Sequence, residues 1–260
     1  MMRVRKNFII DAYSLSDQGL VRPNNEDAYI ELPECNFFML ADGMGGHNAG
    51  EVASKEAVST LSTVIKKRLK RSFEVELTQT VIHDAIQEVN LLVHAKGHSR
   101  PEYHGMGTTL CCAHFHPEGL VIGHVGDSRI YLMRSGRLVQ LTRDHSLVMD
   151  LVDRGRMSER EAIDCQQKNI ITKAIGTEPV VDPTVEVHEY QAGDQLLMCT
   201  DGLSDLVAFE EIQEMMASAL SLKESVQKLI QLANQRGGHD NITVIQVQVK
   251  NAEKSRNLSR

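Results

Sequence analysis

Apolar residues recur at helical spacing twice in the first half of the chain, at Ala53, Ala57, Leu61, Val64 and Ile65 and then at Val81, Ala85, Val89, Leu92 and Val93. That pattern predicts two long amphipathic helices, which need a sheet to cover. Short apolar runs able to supply one are Phe37 to Ala41, Leu110 to Ala113, Leu120 to Val125, Ile130 to Met133 and Leu196 to Cys199, several of them bounded by glycine. Near the end, Ile245, Val247 and Val249 alternate with Gln246 and Gln248, the period of a half-buried strand. Arg134, Ser135 and Gly136 read as a tight turn joining Ile130–Met133 to Leu138–Leu141 as antiparallel neighbours. Phe209, Ile212, Met215, Met216 and Leu220, followed by Val226, Leu229, Ile230 and Ala233, mark two further helices. Strands, two helices, many strands, helices and one last strand make an α+β sandwich the expected fold class, rather than regular βαβ alternation.

Composition narrows the function classes. The chain has 260 residues and no linker-like stretch, so one large domain is expected, with a polar, aperiodic tail over residues 251–260. A formal net charge of -7 without any long Lys/Arg block argues against nucleic acid as a partner. The basic start, Met1 to Lys6, precedes an apolar run, Phe8 to Ile10, far too short for a signal peptide or a membrane span, so no membrane association and a cytoplasmic location are expected. Five cysteines without C-x-x-C spacing point away from a disulfide framework and a zinc ribbon. Cys35, Cys112 and Cys199 lie in apolar stretches and read as small buried hydrophobes.

Three aspartates stand at the ends of strand-like runs: Asp42 after Phe37 to Ala41, Asp201 after Leu196 to Thr200, and Asp240 just before Ile242 to Val249. Gly43 and Gly202 follow two of them, where a missing Cβ lets the backbone turn closely around a ligand. Singly, each Asp is as readily a turn residue or a helix cap. Together, three at the edges of buried strands point to a shared site. Two like charges ~4 Å apart repel by roughly 4 kcal/mol at an effective dielectric near 20, so converging carboxylates call for a cation. All-oxygen ligation suits Mg²⁺ or Mn²⁺ rather than zinc. Two such ions suit phosphate ester hydrolysis.

Competing chemistries leave no trace. No G-x-x-x-x-G-K-[ST] loop, H-E-x-x-H pair or C-x5-R thiolate motif occurs. The loop from Asp42 to Gly50 follows a strand and opens a helix as a dinucleotide loop would, but Asn48 stands where the third glycine belongs. His94, His98 and His104 match no metal spacing and read as a solvated loop.

Eight segments in order resemble the PPM family, the protein phosphatases of the 2C type, and in particular its compact bacterial members. They are Ser16-Asp17-Gln18-Gly19 to Arg22, Asn25-Glu26-Asp27-Ala28, Ala41 to Gly46, Gly107-Thr108-Thr109 and Gly126-Asp127-Ser128-Arg129. Thr172 to Gly176, Thr200 to Asp205 and Asp240-Asn241-Ile242-Thr243 complete the series. The resemblance implies a four-layer αββα sandwich of two antiparallel sheets flanked by helices, spanning residues 1–250 as one phosphatase domain. It implies a flap subdomain at about residues 145–169, where Leu147, Leu151 and Val152 followed by Gly155 are consistent with a helix and its stop.

Carried over by motif position, Asp42 would bridge two Mn²⁺ or Mg²⁺ ions, the Gly43 carbonyl would bind one, and Asp201 and Asp240 would complete the shell. Glu26 and Asp27 match an acidic pair that supports metal-bound waters, and Arg22 matches the arginine that clamps the substrate phosphate. Asp127 matches an aspartate that holds a third metal together with Asp201; its rival reading is a turn residue paired with Arg129. Many eukaryotic members carry histidine after the first Asp-Gly as a proposed general acid; here it is Met44, which leaves His47 or water to protonate the leaving group. The implied activity is hydrolysis of phosphoserine and phosphothreonine on proteins by direct attack of a metal-bridging water, without a phosphoenzyme. The implied partners are phosphorylated proteins and a bacterial Ser/Thr kinase that the enzyme opposes, and a monomer is expected.

Overall fold

The computed structural model describes residues 8–45, 49–69, 74–163, 165, 167 and 169–252. Two antiparallel sheets lie face to face. The first joins β1 (Phe8–Asp17), β11 (Ile242–Asn251), β10 (Gln195–Cys199), β7 (Arg129–Arg134) and β8 (Arg137–Gln140), in that spatial order. The second joins β2 (Asp27–Leu32), β3 (Phe37–Met44), β5 (Leu110–His116), β6 (Gly119–Val125) and β9 (Thr184–His188), with the short β4 (Gly107–Thr108) paired to the end of β3. Helices α1 (Ala49–Arg68) and α2 (Val75–Gly97) cover the second sheet, while α6 (Phe209–Ala217) and α7 (Leu222–Gln235) cover the first.

Three apolar layers hold these four together. Ala53, Leu61 and Ile65 of α1 pack with Ile82, Ile86 and Val89 of α2 onto Phe37, Met39 and Val121 of the second sheet. Phe38, Leu40 and Phe115 meet Ile130, Leu196 and Ile245 between the sheets. Val226, Leu229 and Ile212 cover Leu197 and Val244 from the other side. A sheet buried on both faces reads as a near-continuous apolar run, which is why β3, β5 and β6 were visible as blocks instead of alternations.

The sandwich expected from the element order is the observed architecture, with local corrections. The buried stripe of α2 runs through Ile82, Ala85, Ile86, Val89 and Val93, whereas Leu92 is 47% exposed. The last strand is not half-buried. β11 sits between β1 and β10 with α7 over one face, so Gln246 is itself buried and donates through Nε2 to Gln195 Oε1 at 2.7 Å. Leu220 lies beyond the end of α6. The hairpin of β7 and β8 closes as expected through Ser135 (φ 51°) and Gly136 (φ 81°), the doubly positive pair of a type I′ turn. Cys112 and Cys199 are buried, as is Cys111, while Cys35 is only half-buried.

Residues 145–169 leave β8 and carry α3 (Leu147–Asp153) and α4 (Glu159–Ile163). Ser146 Oγ caps α3 by accepting from the Met149 amide, and Gly155 at φ +64° follows its end. The two ends of this excursion are tied together, Leu147 N–H to the Ile170 carbonyl and Thr172 N–H to the His145 carbonyl, each at 2.8 Å. Most of the expected tail lies outside the described residues, although Asn251 still belongs to β11. No helix among the described residues is long and apolar enough to cross a membrane.

Candidate active site

Strand ends from both sheets deliver carboxylates to one end of the sandwich. In the second sheet β2 begins at Asp27, directly opposite Asp42 near the end of β3. In the first sheet β10 runs through Thr200 into Asp201, the first residue of the short helix α5 (Asp201–Ser204), and Asp240 lies just ahead of β11. Asp127 follows β6 on the connection that crosses to β7. Burial pushes the Asp42 carboxyl well above the usual carboxylate range, and the charges of Asp27, Asp201, Asp240 and Asp127 push it further. Those four groups are thus within electrostatic reach of it.

The same cause acts on its neighbours. Asp27 is pushed up to about 7 by burial, opposed by hydrogen bonds from Thr243 and Thr200 and reinforced by Asp201 and Asp240. Asp127 also reaches about 7, through burial and then the charges of Asp201 and Asp144. Asp201 rises to about 6, through burial and then Asp240 and Asp205. Sustaining several ionised carboxylates here requires a positive partner.

Hydroxyl and amide side chains fix the acids in place. Thr200 Oγ1 and Thr243 Oγ1, both from the first sheet, donate to Asp27 Oδ2 at 3.0 and 2.7 Å and so tie the two sheets at the site. The Asp42 amide donates to Thr109 Oγ1 at 2.9 Å, and the Asp42 carbonyl accepts from Thr108 Oγ1 at 2.8 Å. Asn241 accepts from the Glu26 amide and donates to the Gln18 and Asn24 carbonyls, locking the 18–26 loop onto the segment that carries Asp240. Sequence reasoning gave these residues no role. Their one signal was a place inside the family-like segments, and hydroxyl residues at strand ends are too common for their chemistry to single them out.

Glycines allow the close approach. A Cβ on Gly43 would stand 2.1 Å from the Gly50 carbonyl oxygen and 2.6 Å from that of Glu26. Gly19, at φ +75°, presses on the Asp240 carbonyl, where a Cβ would come within 2.2 Å, and this contact brings the Arg22 loop to the site. Arg22 then donates through its NH2 group to Asp240 Oδ2 at 2.7 Å and remains half-exposed at the rim. Glu26 sits against the first turn of α1, where the Glu51 amide bonds its carboxyl, although burial raises its pKa overall. The alternative partnership of Asp127 with Arg129 does not form: the Arg129 guanidinium is engaged bidentately by Asp144, at 2.7 to 3.1 Å.

Among the described residues no three ligating side chains close into a finished shell, and Asp240 leans instead on Arg22. The donor set nonetheless fits a divalent cation. Asp27 Oδ1 and Asp201 Oδ1 are buried without a hydrogen-bond partner, a condition that costs about 1–3 kcal/mol for a neutral group and more for a charged one. All the donors are hard oxygens, as Mg²⁺ and Mn²⁺ prefer. Met44 ends β3 and carries no transferable proton, and His47 lies outside the described residues. His94 belongs to the last turn of α2 and donates through Nδ1 to the Gly176 carbonyl, away from the acids.

Comparison with known proteins agrees with this geometry. The chain is 39% identical over 247 residues to the serine/threonine phosphatase stp of Listeria welshimeri, covering 94% of this chain and 98% of that one. Its fold matches serine/threonine phosphatase Stp1 from Staphylococcus aureus with a TM-score of 0.87 and 33% identity, over 96% of this chain and 99% of that one. It also matches the catalytic domain of the phosphatase PstP, solved in complex with two manganese ions, with a TM-score of 0.82 and 37% identity, over 94% and 100% of the two chains. The family model described as Protein phosphatase 2C matches residues 22–244, and with both sheets delivering their acids to one end, the chain belongs to the protein phosphatase 2C family.

Proposed function

We propose that this protein is a metal-dependent protein serine/threonine phosphatase whose centre is built by Asp42, the Gly43 carbonyl, Asp201 and Asp240, with Glu26, Asp27 and Asp127 around them. The observation that carries the reading is the convergence of four carboxylates, Asp27, Asp127, Asp201 and Asp240, on Asp42, two of the four with orphaned buried oxygens. Manganese or magnesium bound there supplies positive charge for the phosphoryl oxygens and acidifies water.

The chain's own residues supply the rest. Arg22 stands at the rim with a planar fork of donors suited to phosphoryl oxygens. Asp27, bolted to Thr200 and Thr243, holds the strand ends at fixed separation. Cys111, Cys112 and Cys199 are buried thiols whose pKa values burial raises, so none is poised as a nucleophile. Water is the attacking group: a new P–O bond forms as the bond to the serine or threonine oxygen breaks. Met44 offers no proton, so the leaving oxygen takes its proton from water or from His47.

The relatives' names, serine/threonine phosphatase in Listeria and Staphylococcus, support phosphorylated proteins as substrates. The reading carries with it a cytoplasmic, monomeric enzyme opposing a serine/threonine kinase. Its test is phosphate release from phosphoserine, phosphothreonine and phosphotyrosine peptides with Mn²⁺. Release from the first two and little from the third supports it; equal release from none or all three contradicts it.

A further inference from the structure

The turn that carries Asp127 is gripped by two consecutive residues. His145, where the 145–169 excursion begins, meets Gly126 twice: its own N–H donates to the Gly126 carbonyl at 3.0 Å, and its ring Nδ1 accepts from the Gly126 N–H at 3.2 Å. Asp144 holds Arg129, two residues beyond Asp127, bidentately. A third grip comes from Thr109, whose hydroxyl shares a 2.7 Å hydrogen bond with Ser128 and whose amide donates to the Asp42 carbonyl. Gly126 stands at φ +103°, and a Cβ there would come within 2.7 Å of the Thr109 side chain, so the position is restricted to glycine.

The His145 ring is held in one protonation state. Because Nδ1 accepts an N–H, the ring proton sits on Nε2, which donates to Thr184 Oγ1 at 3.1 Å. A protonated ring would turn an N–H toward the Gly126 N–H and break the contact. Burial, the stacked ring of His124 (4.6 Å between centroids, 13° between planes) and Lys173 push the His145 pKa down to about 3, against the opposing pull of Asp182. His124 is itself lowered by burial and donates through Nε2 to the Arg143 carbonyl at 2.9 Å.

The same residue closes the root of the excursion. Its carbonyl accepts from the Thr172 N–H at 2.8 Å, and Ile175, three residues on, exchanges two backbone hydrogen bonds with Thr108, whose hydroxyl donates to the Asp42 carbonyl. His145 thus stands where the excursion, the Asp127 turn and β9 meet.

We propose that His145 is a positioning residue: by gripping both the N–H and the carbonyl of Gly126 it sets where the Asp127 carboxylate stands and couples that carboxylate to the 145–169 excursion. The inference rests on the phosphatase reading and, within it, on Asp127 and Asp201 holding a third, weakly bound ion. Coupling of this kind is reciprocal, so an ion that draws on Asp127 must in turn steady α3.

The test separates the two ends of the ring. Asparagine carries its side-chain oxygen at the place of Nδ1, whereas glutamine reaches the place of Nε2, so His145→Asn keeps the acceptor for Gly126 and His145→Gln loses it. Thr184→Val removes the partner of Nε2 alone. Bound Mn²⁺ is counted by electron paramagnetic resonance as its concentration rises, with phosphate release and Tm followed on the same full-length protein. His145→Gln should keep the two tight ions, weaken the third about 10- to 100-fold, and lower kcat with little change in KM for a phosphothreonine peptide, the loss recovering at high Mn²⁺. His145→Asn and Thr184→Val should stay close to the unmodified enzyme in all of these. Amide exchange through α3 should slow as the third ion binds to the unmodified protein, and should not respond in His145→Gln over the same concentrations. Asn and Gln variants that behave alike, a His145→Gln that weakens all three ions together with Tm, or α3 exchange indifferent to the third ion would each overturn the inference alone. No phosphate release by the unmodified enzyme overturns the phosphatase reading, and release with only two ions bound at every concentration overturns the role given to Asp127; either result takes this inference with it.

Discussion

Asp27 and Asp42 occupy the same rung of the β2–β3 ladder, two buried carboxylates directly opposite each other. Like charges so placed destabilise a sheet, and only one oxygen of Asp27 is compensated, by the hydroxyls of Thr200 and Thr243. The protein thus holds at its centre an arrangement that favours binding a cation over folding without one.

A pH dependence follows for the metal-free protein. A carboxyl whose folded pKa is raised costs stability wherever it is ionised, and that cost vanishes as pH falls below its ordinary value. With Asp27 and Asp127 raised from 3.8 to about 7, the Tm of EDTA-treated protein should climb as pH is lowered from about 8 to about 6.5; below that, His145, pushed down to about 3 by burial, and His124, also lowered, oppose the climb. The exposed acids Glu161, Glu211 and Glu224 are shifted downward by their hydrogen bonds, so their stabilisation is lost only below the usual carboxylate range, outside this window. Mn²⁺ should raise Tm more at the alkaline end. Thermal scans in which the metal-free Tm falls as pH is lowered from about 8 to about 6.5 would contradict the raised values.

Asp42→Asn, Asp201→Asn and Asp240→Asn should each abolish turnover by removing a charged ligand. For Asp42 and Asp201 the change also removes a buried charge, so the metal-free variants should melt at or above the unmodified protein at pH 8. Lost activity with undiminished Tm separates a ligand from a folding residue. Near-normal rates in any two at saturating Mn²⁺ would remove these residues from the centre.

Asp127→Ala should lose turnover while two manganese ions still bind tightly, on the reading, implied by the family resemblance, that Asp127 and Asp201 together hold a third, weakly bound ion. Calorimetric titration with Mn²⁺ checks this. Loss of tight binding together with activity would place Asp127 in the main shell or the fold.

Arg22 pairs with Asp240 yet is half-exposed, and such a pair contributes about 1 kcal/mol or less to stability. As a phosphate clamp its charge-assisted contact is worth roughly 1.5–3 kcal/mol, or about 10- to 200-fold. Arg22→Ala should lower kcat/KM by about that factor with Tm nearly unchanged, and Arg22→Lys should recover part of it. A rise in KM alone would mean equal binding of ground and transition states; an equal fall in kcat and kcat/KM would mean contact made in transit. A fully active Arg22→Ala enzyme would leave phosphate recognition to the metals.

How much of this was legible in the sequence depended on whether the signal was local. The stripe of α1 and the blocks of β3, β5 and β6 stand out because each is buried by elements that demand apolar side chains along its length. Strands β1 and β9 did not, because both are edges: Asp11, Ser14 and Ser16 break the first, and the second exposes Glu186 and Val187. Asp42, Asp201 and Asp240 could be picked out from the residues because each ends or precedes an apolar run. Asp27, Asp127 and Arg22 have no such mark and came only from motif order. Partners distant in sequence were invisible, as with Gln246 and Gln195, Asp27 and Thr243, or Arg129 and Asp144, whose pairing displaced the nearer reading for Asp127.

The central claim, that this carboxylate cluster is a metal-loaded phosphatase centre, is tested most directly by titrating EDTA-stripped protein with Mn²⁺ while following ion binding and phosphate release from a phosphothreonine peptide in the same sample. Release should be absent without metal, rise in step with occupancy, and stay absent in folded Asp42→Asn at every Mn²⁺ concentration. Turnover by the stripped protein, or turnover that Asp42→Asn retains, would contradict it.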